Sequence, residues 1–114
     1  MTLAIRLDKP WATIAEALPL IRGNLGVFQL GNEAGEVIYI GFAGGKSIYG
    51  LKGEVADLAA QIPEATHVRT EVNTAYQSRY RELLMVHSSD HGELPKCNLE
   101  LNHHPARLGR MSPA

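Results

Sequence analysis

The sequence predicts an α+β domain built on a small antiparallel sheet of three strands flanked by helices. Two apolar, β-favouring runs at positions 27–30 and 37–40 surround a polar turn containing glycine and asparagine, which predicts a hairpin. A helical apolar repeat follows, and an alternating third segment then precedes a second helical repeat. A hairpin followed by helices that can pack on it is typical of this fold class.

An N-terminal extension, positions 1–24, precedes the hairpin and is predicted to add a strand and a helix. The strand is indicated by apolar residues that alternate with other residues: Leu3, Ile5 and Leu7. The helix is indicated by apolar residues at steps of three and four: Trp11, Ile14, Leu18 and Ile21. Pro19 should end or kink this helix near Leu18, because proline removes a helical hydrogen bond.

The helix after the hairpin is predicted to start at Ser47, which can cap it, and to stop at Pro63. A later start is left open, because Gly50 and Gly53 weaken the first turns. Its apolar face consists of residues spaced by three or four: Ile48, Leu51, Val55, Leu58 and Ile62.

The rest of the chain is predicted to hold the third strand, a last long helix and a tail. Positions 67–72 alternate and predict the strand. A capping box that begins at Thr74 predicts a helix that ends near His87. We therefore expect one domain over positions 1–101 and a flexible tail over 102–114.

The composition excludes several classes of protein. Eleven Lys and Arg residues against twelve Asp and Glu give a formal net charge of −1, which excludes attachment to DNA or membranes by overall charge. No apolar run is long enough to span a bilayer, and we expect no secretory leader. The one cysteine, Cys97, cannot form an internal disulfide. We therefore expect a cytoplasmic protein without membrane contact.

A spaced pair of tripeptides marks the two ends of the predicted hairpin. Gly26-Val27-Phe28 opens its first strand and Tyr39-Ile40-Gly41 closes its second, with ten residues between them. Glu82 lies in the last helix, and the segment Pro95-Lys96-Cys97-Asn98 follows it. From position 25 to position 98, this order of motifs resembles the GIY-YIG nuclease family.

The resemblance implies metal-dependent cleavage of phosphodiester bonds in nucleic acid. The family's glutamate, here Glu82, holds a single divalent metal, which would be Mg²⁺, and Tyr39 would orient or deprotonate the attacking water. The family's arginine would fall near Tyr49, and Lys52 or Arg79 would offset phosphate charge in its place. The implied catalytic residues are therefore Tyr39, Lys52 and Glu82, with Glu82 as the metal ligand.

Because the net charge is near zero, any nucleic-acid contact must come from a local basic face. Besides Lys52, the candidate nucleic-acid-binding residues are Lys46, Arg69, Arg79, Arg81 and the asparagine of the last motif, Asn98.

Two departures from the family pattern keep alternative functions open. Phe28 replaces the tyrosine of the first tripeptide and cannot move a proton, and the arginine is missing. Both departures favour a catalytically degenerate domain that binds nucleic acid or a protein partner. A third alternative is an α+β domain of unrelated function, in which the tripeptides are coincidental.

Two other kinds of site are disfavoured by spacing. Gly45-Lys46-Ser47 resembles the end of a phosphate-binding P-loop, but Ile40 stands where that loop needs a glycine. Five C-terminal residues are potential zinc ligands: His87, His91, Cys97, His103 and His104. Their spacing matches no common zinc motif, and the polar residues that follow His87 suggest that the helix has ended. We therefore expect unpaired loop histidines.

Overall fold

A computed structural model describes residues 6–105 and confirms the α+β class. The strands are β1 (Ala12–Thr13), β2 (Gly26–Gly31), β3 (Val37–Ala43) and β4 (His67–Val72). The helices are α1 (Ile14–Ala17), α2 (Gly50–Gln61), α3 (Tyr76–His91) and α4 (Lys96–Glu100), with a 3-10 turn at Leu18–Leu20. The sheet is antiparallel, in the order β1-β4-β2-β3. Within these residues, no helix is long and apolar enough to cross a bilayer.

The predicted hairpin is formed by β2 and β3. Asn32 closes its turn, because the side-chain oxygen accepts hydrogen bonds from the backbone N–H groups of Ala34 and Glu36. The two tripeptides meet across the hairpin, where Phe28 is paired with Gly41. A Cβ atom at Gly41 would lie 2.5 Å from the Phe28 ring. The glycine therefore leaves room for the aromatic ring to pack across the strand.

Helices cover both faces of the sheet, and the alternation of side chains along the strands divides the core in two. One face packs against α2, and its buried residues include Phe28, Tyr39 and Val55. The other face packs against α3, and its buried residues include Val27 and Ile40. Since Tyr39 and Ile40 are neighbours in β3, their side chains point to opposite faces.

The N-terminal strand is not found where the alternation predicted it. Positions 1–5, which include Leu3 and Ile5, lie outside the described residues, and Arg6 and Leu7 are not in a strand. The Leu7 side chain is nevertheless buried in the core beneath α3. Its apolar character therefore reflects packing rather than strand pairing.

The predicted N-terminal helix is reduced to one α-helical turn and one 3-10 turn. Residues 12 and 13 pair instead with Val68 and His67, which makes them the short strand β1. Pro19 lies in the 3-10 turn, in agreement with the predicted helix end near Leu18. The sheet consequently has four strands and not three. β1 could not be predicted, because a strand of two residues is too short to show a period in the sequence.

α2 begins at Gly50, which agrees with the later start that the glycines left open, whereas the Ser47 cap is wrong. The Ser47 hydroxyl accepts from the Gly44 N–H and donates to the Glu54 carboxylate, while the helix starts at Gly50. Gly50 has a φ of +62°, and a Cβ atom there would lie 2.3 Å from the backbone of Gly23. The glycine lets the chain turn sharply against a neighbouring segment before the helix starts.

α3 begins without the predicted capping box and extends beyond the predicted end. Its N-cap, Ala75, has no side-chain cap bond, and the Asn73 side chain accepts from the Ala75 N–H. The helix continues past His87 to His91 and ends at Gly92, which has a φ of 84°. The polar residues that follow His87 therefore lie within the helix and do not end it.

Candidate functional site

The free edge of the sheet is the side of β3 that faces away from β2. Asn98, in α4, is 0% exposed and pairs with this edge. Its Oδ1 atom accepts from the Ile40 N–H at 2.8 Å, and its Nδ2 atom donates to the Ile40 carbonyl at 2.9 Å. The amide thus takes the place of a neighbouring strand for one residue. The structure therefore gives the predicted nucleic-acid-binding residue Asn98 an internal partner.

A cleft of about 610 Å³ opens beside this edge. We call it the edge cleft; its polar and aromatic lining includes Tyr39, Phe42, Glu54, Gln77, Tyr80, Arg81, His103 and His104. Tyr39 is 5% exposed, and its phenol shares a hydrogen bond of 3.0 Å with His103 Nδ1. Burial raises the pKa of Tyr39, and the neighbouring Tyr80 and Glu54 raise it further. The phenol is therefore held protonated at neutral pH.

The segment that follows α4 closes one side of the edge cleft. The His103 carbonyl accepts from the Tyr80 hydroxyl at 3.1 Å and from Asn98 Nδ2 at 2.8 Å. Burial raises the pKa of Tyr80 to about 12, so this hydroxyl remains a donor. His103 lies in the stretch predicted as a tail, and it is bonded to the core. Positions 106–114 of that stretch lie outside the described residues.

Glu82, the implied metal ligand, does not line the edge cleft. Successive helical residues point about 100° apart, so Glu82 turns away from the cleft that the preceding Arg81 lines. Its Oε1 atom lies 2.6 Å from Nη1 of Arg79, which also binds Glu71 on β4 at 2.9 and 3.0 Å. Tyr39 packs on the α2 face of the sheet and Glu82 projects from α3 on the other. The structure does not bring the two together.

Arg79, another predicted nucleic-acid-binding residue, lies between two carboxylates with its side chain 10% exposed. Burial by itself would raise the pKa of Glu71, but hydrogen bonds from Arg79 and Asn73 outweigh it and hold that pKa below its usual value. The guanidinium therefore joins α3 to β4 through Glu71.

The side chains around Glu82 do not fit the Mg²⁺ site that the resemblance implies. Mg²⁺ binds carboxylate oxygens while keeping several waters, whereas the Glu82 carboxylate faces the guanidinium of Arg79. The carboxylate in the edge cleft belongs instead to Glu54 of α2, whose Oε2 atom accepts from the Ser47 hydroxyl at 2.7 Å. The chemistry shown for Glu82 is that of an ion pair.

Arg69 has internal partners as well. Its guanidinium carbon lies 4.1 Å from the centroid of the Trp11 ring. Its Nε atom donates to the Gln29 side chain at 2.8 Å, and Nη1 donates to the Lys9 carbonyl at 3.1 Å. This predicted nucleic-acid-binding residue fastens the N-terminal extension to the sheet.

Lys46 and Lys52 lie together in a groove of about 640 Å³ at the start of α2. We call it the lysine groove; its lining includes Lys46, Ile48, Tyr49, Lys52, Glu54 and Asp57. Tyr49 is 73% exposed and Ile48 is 86% exposed, so both side chains are accessible to a ligand in the groove. Glu54 lines both the lysine groove and the edge cleft, so the two are neighbours.

The five potential zinc ligands near the C-terminus do not converge on one point. His87 and His91 form a pair in α3, with ring centroids 4.3 Å apart, so the expectation of unpaired loop histidines is wrong for them. Cys97 lies in another cluster with Glu64 and Glu100, whose possible ligand atoms are within 4.8 Å of one another. Burial raises the pKa of the Cys97 thiol, and the two glutamates raise it further.

Most of the helices and strands lie in a part of the chain that matches a known family. A family model described as a domain of unknown function (DUF7508) matches residues 5–90. The chain belongs to this family. The part matched to DUF7508 includes the hairpin, the lysine groove and nearly all of α3, whereas α4 and His103 follow it. No curated protein matches the chain.

The residues of these two sites that were not assigned to them from the sequence include Tyr49, Glu54 and His103. Tyr49 had a usable signal, since an aromatic residue between two nearby lysines is typical of nucleic-acid contacts. Glu54 had none beyond its place in a helix. His103 had none, because its role depends on how the chain folds back after α4.

Proposed function

We propose that this domain binds single-stranded nucleic acid in the lysine groove and has a GIY-YIG-like fold that does not cleave its ligand. The observation that carries the proposal is the grouping of the exposed Tyr49 ring with Lys46 and Lys52. Single-strand binding combines positive groups for phosphates with aromatic rings on which bases stack. A cytoplasmic location belongs to the proposal, and the free thiol of Cys97 agrees with it.

The charges of the groove indicate where the phosphates of a bound strand would lie. Lys46 and Lys52 are both exposed and can meet phosphates as point charges. The carboxylates of Glu54 and Asp57 also line the groove, and Glu54 is bonded to Ser47. We therefore expect phosphates at the lysine end and a base stacked on the ring between the lysines.

The likeness to GIY-YIG domains is supported by the order of elements. A hairpin, a helix, a strand, a helix and an asparagine segment follow one another as the resemblance implies. Tyr49, at the position expected for the phosphate-binding arginine, belongs to the proposed binding surface. The proposed ligand is therefore the nucleic acid that the resemblance implies, and Lys46 and Lys52 contact its phosphates in place of the arginine.

Binding without cleavage is supported by the surroundings of the residues implied to be catalytic. Glu82 is paired with Arg79, and the Tyr39 phenol is buried and protonated. Phe28 has no hydroxyl and is 0% exposed. These three side chains supply neither an available carboxylate nor a base to a strand in the lysine groove.

Fluorescence anisotropy with labelled single-stranded oligonucleotides tests the proposal. Replacing both Lys46 and Lys52 by alanine should weaken binding and lower the salt slope by about 1.4, since each phosphate contact contributes about 0.7. Tyr49→Ala should weaken binding about tenfold, whereas Tyr49→Phe should retain stacking. Lys96→Ala, which removes a lysine paired with Glu64 outside the groove, is the matched control and should bind normally.

Two results would contradict the proposal. A lack of binding at low salt would favour the alternative of a protein partner. Nicking of DNA or RNA with Mg²⁺ or Mn²⁺ that is lost in Glu82→Ala would restore the metal-dependent mechanism.

A further inference from the structure

His87 and His91 lie in the last turns of α3 and form a pair that the proposed function does not use. They are four residues apart, so the helix places them on one face. Their ring centroids are 4.3 Å apart, with an angle of 33° between the rings. The pair exists because the helix continues to His91 before Gly92 ends it.

The Glu93 carbonyl determines how the His87 ring is presented. His87 Nδ1 lies 3.0 Å from this oxygen, which can only accept, so Nδ1 carries the proton of the neutral ring and Nε2 keeps its lone pair. Metal-binding histidines commonly have their second nitrogen held in this way. Burial lowers the pKa of His87, the bond to Glu93 opposes this, and His91 lowers it again.

We propose that His87 and His91 together chelate one divalent transition-metal ion of the class of Zn²⁺, Ni²⁺ or Cu²⁺. Two histidines four apart on one helical face are a recurrent arrangement for zinc ligands. Imidazole nitrogen suits these ions, whereas Mg²⁺ prefers oxygen ligands. Water would supply the remaining ligands of the ion.

The charged side chains around the pair balance one another. A cavity of about 130 Å³ is lined by both histidines together with Arg6, Arg69, Asp8 and Asp90. The Arg6 guanidinium donates to the Asp90 carboxylate at 2.6 and 2.9 Å. Asp8 offsets the charge of Arg69 in the same cavity, so the lining carries no net positive charge to oppose a bound cation.

Isothermal titration calorimetry of the full chain with Zn²⁺ tests the proposal. We expect one ion per chain, with affinity reduced at least about tenfold in both His87→Ala and His91→Ala. His91 is exposed, so its replacement should leave the fold intact, which circular dichroism would verify. His104→Ala is the matched control, because His104 lines the edge cleft, and it should bind Zn²⁺ normally.

Two further measurements separate this site from others in the molecule. With Cu²⁺, electron paramagnetic resonance should show two nitrogen ligands in the wild type and one in His91→Ala. Zn²⁺ affinity that is unchanged in His91→Ala, or that is lost in Cys97→Ser, would overturn the proposal; the second result would assign the ion to the cluster with Glu64 and Glu100. Oligonucleotide binding should not change in His91→Ala, so this inference and the proposed function fail independently.

Discussion

The side-chain amide of Asn98 forms both hydrogen bonds to the backbone of Ile40, at 2.8 and 2.9 Å. Its Nδ2 atom also donates to the His103 carbonyl at 2.8 Å. One buried residue thus satisfies the backbone of Ile40 at the edge of β3 and anchors the segment that closes the edge cleft. At Ile40, this edge is not available for pairing with another strand.

Replacing Asn98 should therefore destabilise the fold. Asn98→Asp puts a carboxylate oxygen against the carbonyls of Ile40 and His103, and should cost about 3 kcal/mol or more of unfolding free energy at pH 7. Urea unfolding measures this cost. Asn24→Asp, at an exposed position, is the control and should change stability by less than about 0.5 kcal/mol. Equal stability of the two variants would contradict the edge role.

The sharp turn before α2 gives a second prediction. Gly50→Ala forces a side chain into a positive φ and within 2.3 Å of the Gly23 backbone, and should cost about 3 kcal/mol or more. Gly45→Ala is the control, because a Cβ atom there would come no closer than 4.0 Å to the Tyr76 hydroxyl. Thermal unfolding measures Tm. An equal decrease of Tm in both variants would show that the close approach to Gly23 does not determine the stability of this turn.

Arg69 should matter for stability and not for nucleic-acid binding. Arg69→Lys loses the flat contact with Trp11 and the fixed fork that reaches Gln29 and the Lys9 carbonyl, and should cost about 1–3 kcal/mol in urea unfolding. The same variant should bind oligonucleotides like the wild type, since the positive charge is kept and lies outside the lysine groove. Weaker binding with unchanged stability would place Arg69 at the nucleic-acid surface after all.

The hairpin was predictable from two apolar runs around a turn, and β4 and the two long helices were predictable from the period of their apolar residues. β1 was not, since two residues cannot show a period, and their pairing depends on β4. The exact start of α2 and the end of α3 could not be predicted, for a related reason. They depend on the close approach of Gly50 to Gly23 and on turns that continue to His91 with polar residues facing solvent.

The candidate site was harder to predict than the fold. Spacing located Tyr39 in the hairpin and Glu82 in the last long helix. A difference of one residue along α3 nevertheless decides what a side chain faces: Arg81 lines the edge cleft, whereas Glu82 contacts Arg79. The partners of Asn98 depend on how the chain folds back after α3. Such long-range contacts leave no local pattern in the sequence.

The pair of Glu71 and Arg79 makes stability depend on pH. Arg79 and Asn73 hold the pKa of Glu71 below its ordinary value of 4.5 against the effect of burial. The folded state therefore favours the ionised carboxylate more than the unfolded state does. This contribution is complete above about pH 4.5 and is lost as the pH falls through the lower pKa of the folded protein.

Glu71→Gln should consequently remove part of the acid sensitivity of the domain. At pH 7 the variant should be less stable than the wild type by about 1–2 kcal/mol, because a hydrogen-bonded charge pair is lost. The difference should shrink as the pH is lowered from 4.5 through the lower pKa of Glu71 in the folded protein, because the wild-type carboxylate then becomes neutral as well. Urea unfolding over this range measures it, with Glu33→Gln in the exposed hairpin turn as the control. A difference that stays constant with pH would show that Glu71 stabilises the fold by packing and not by its charge.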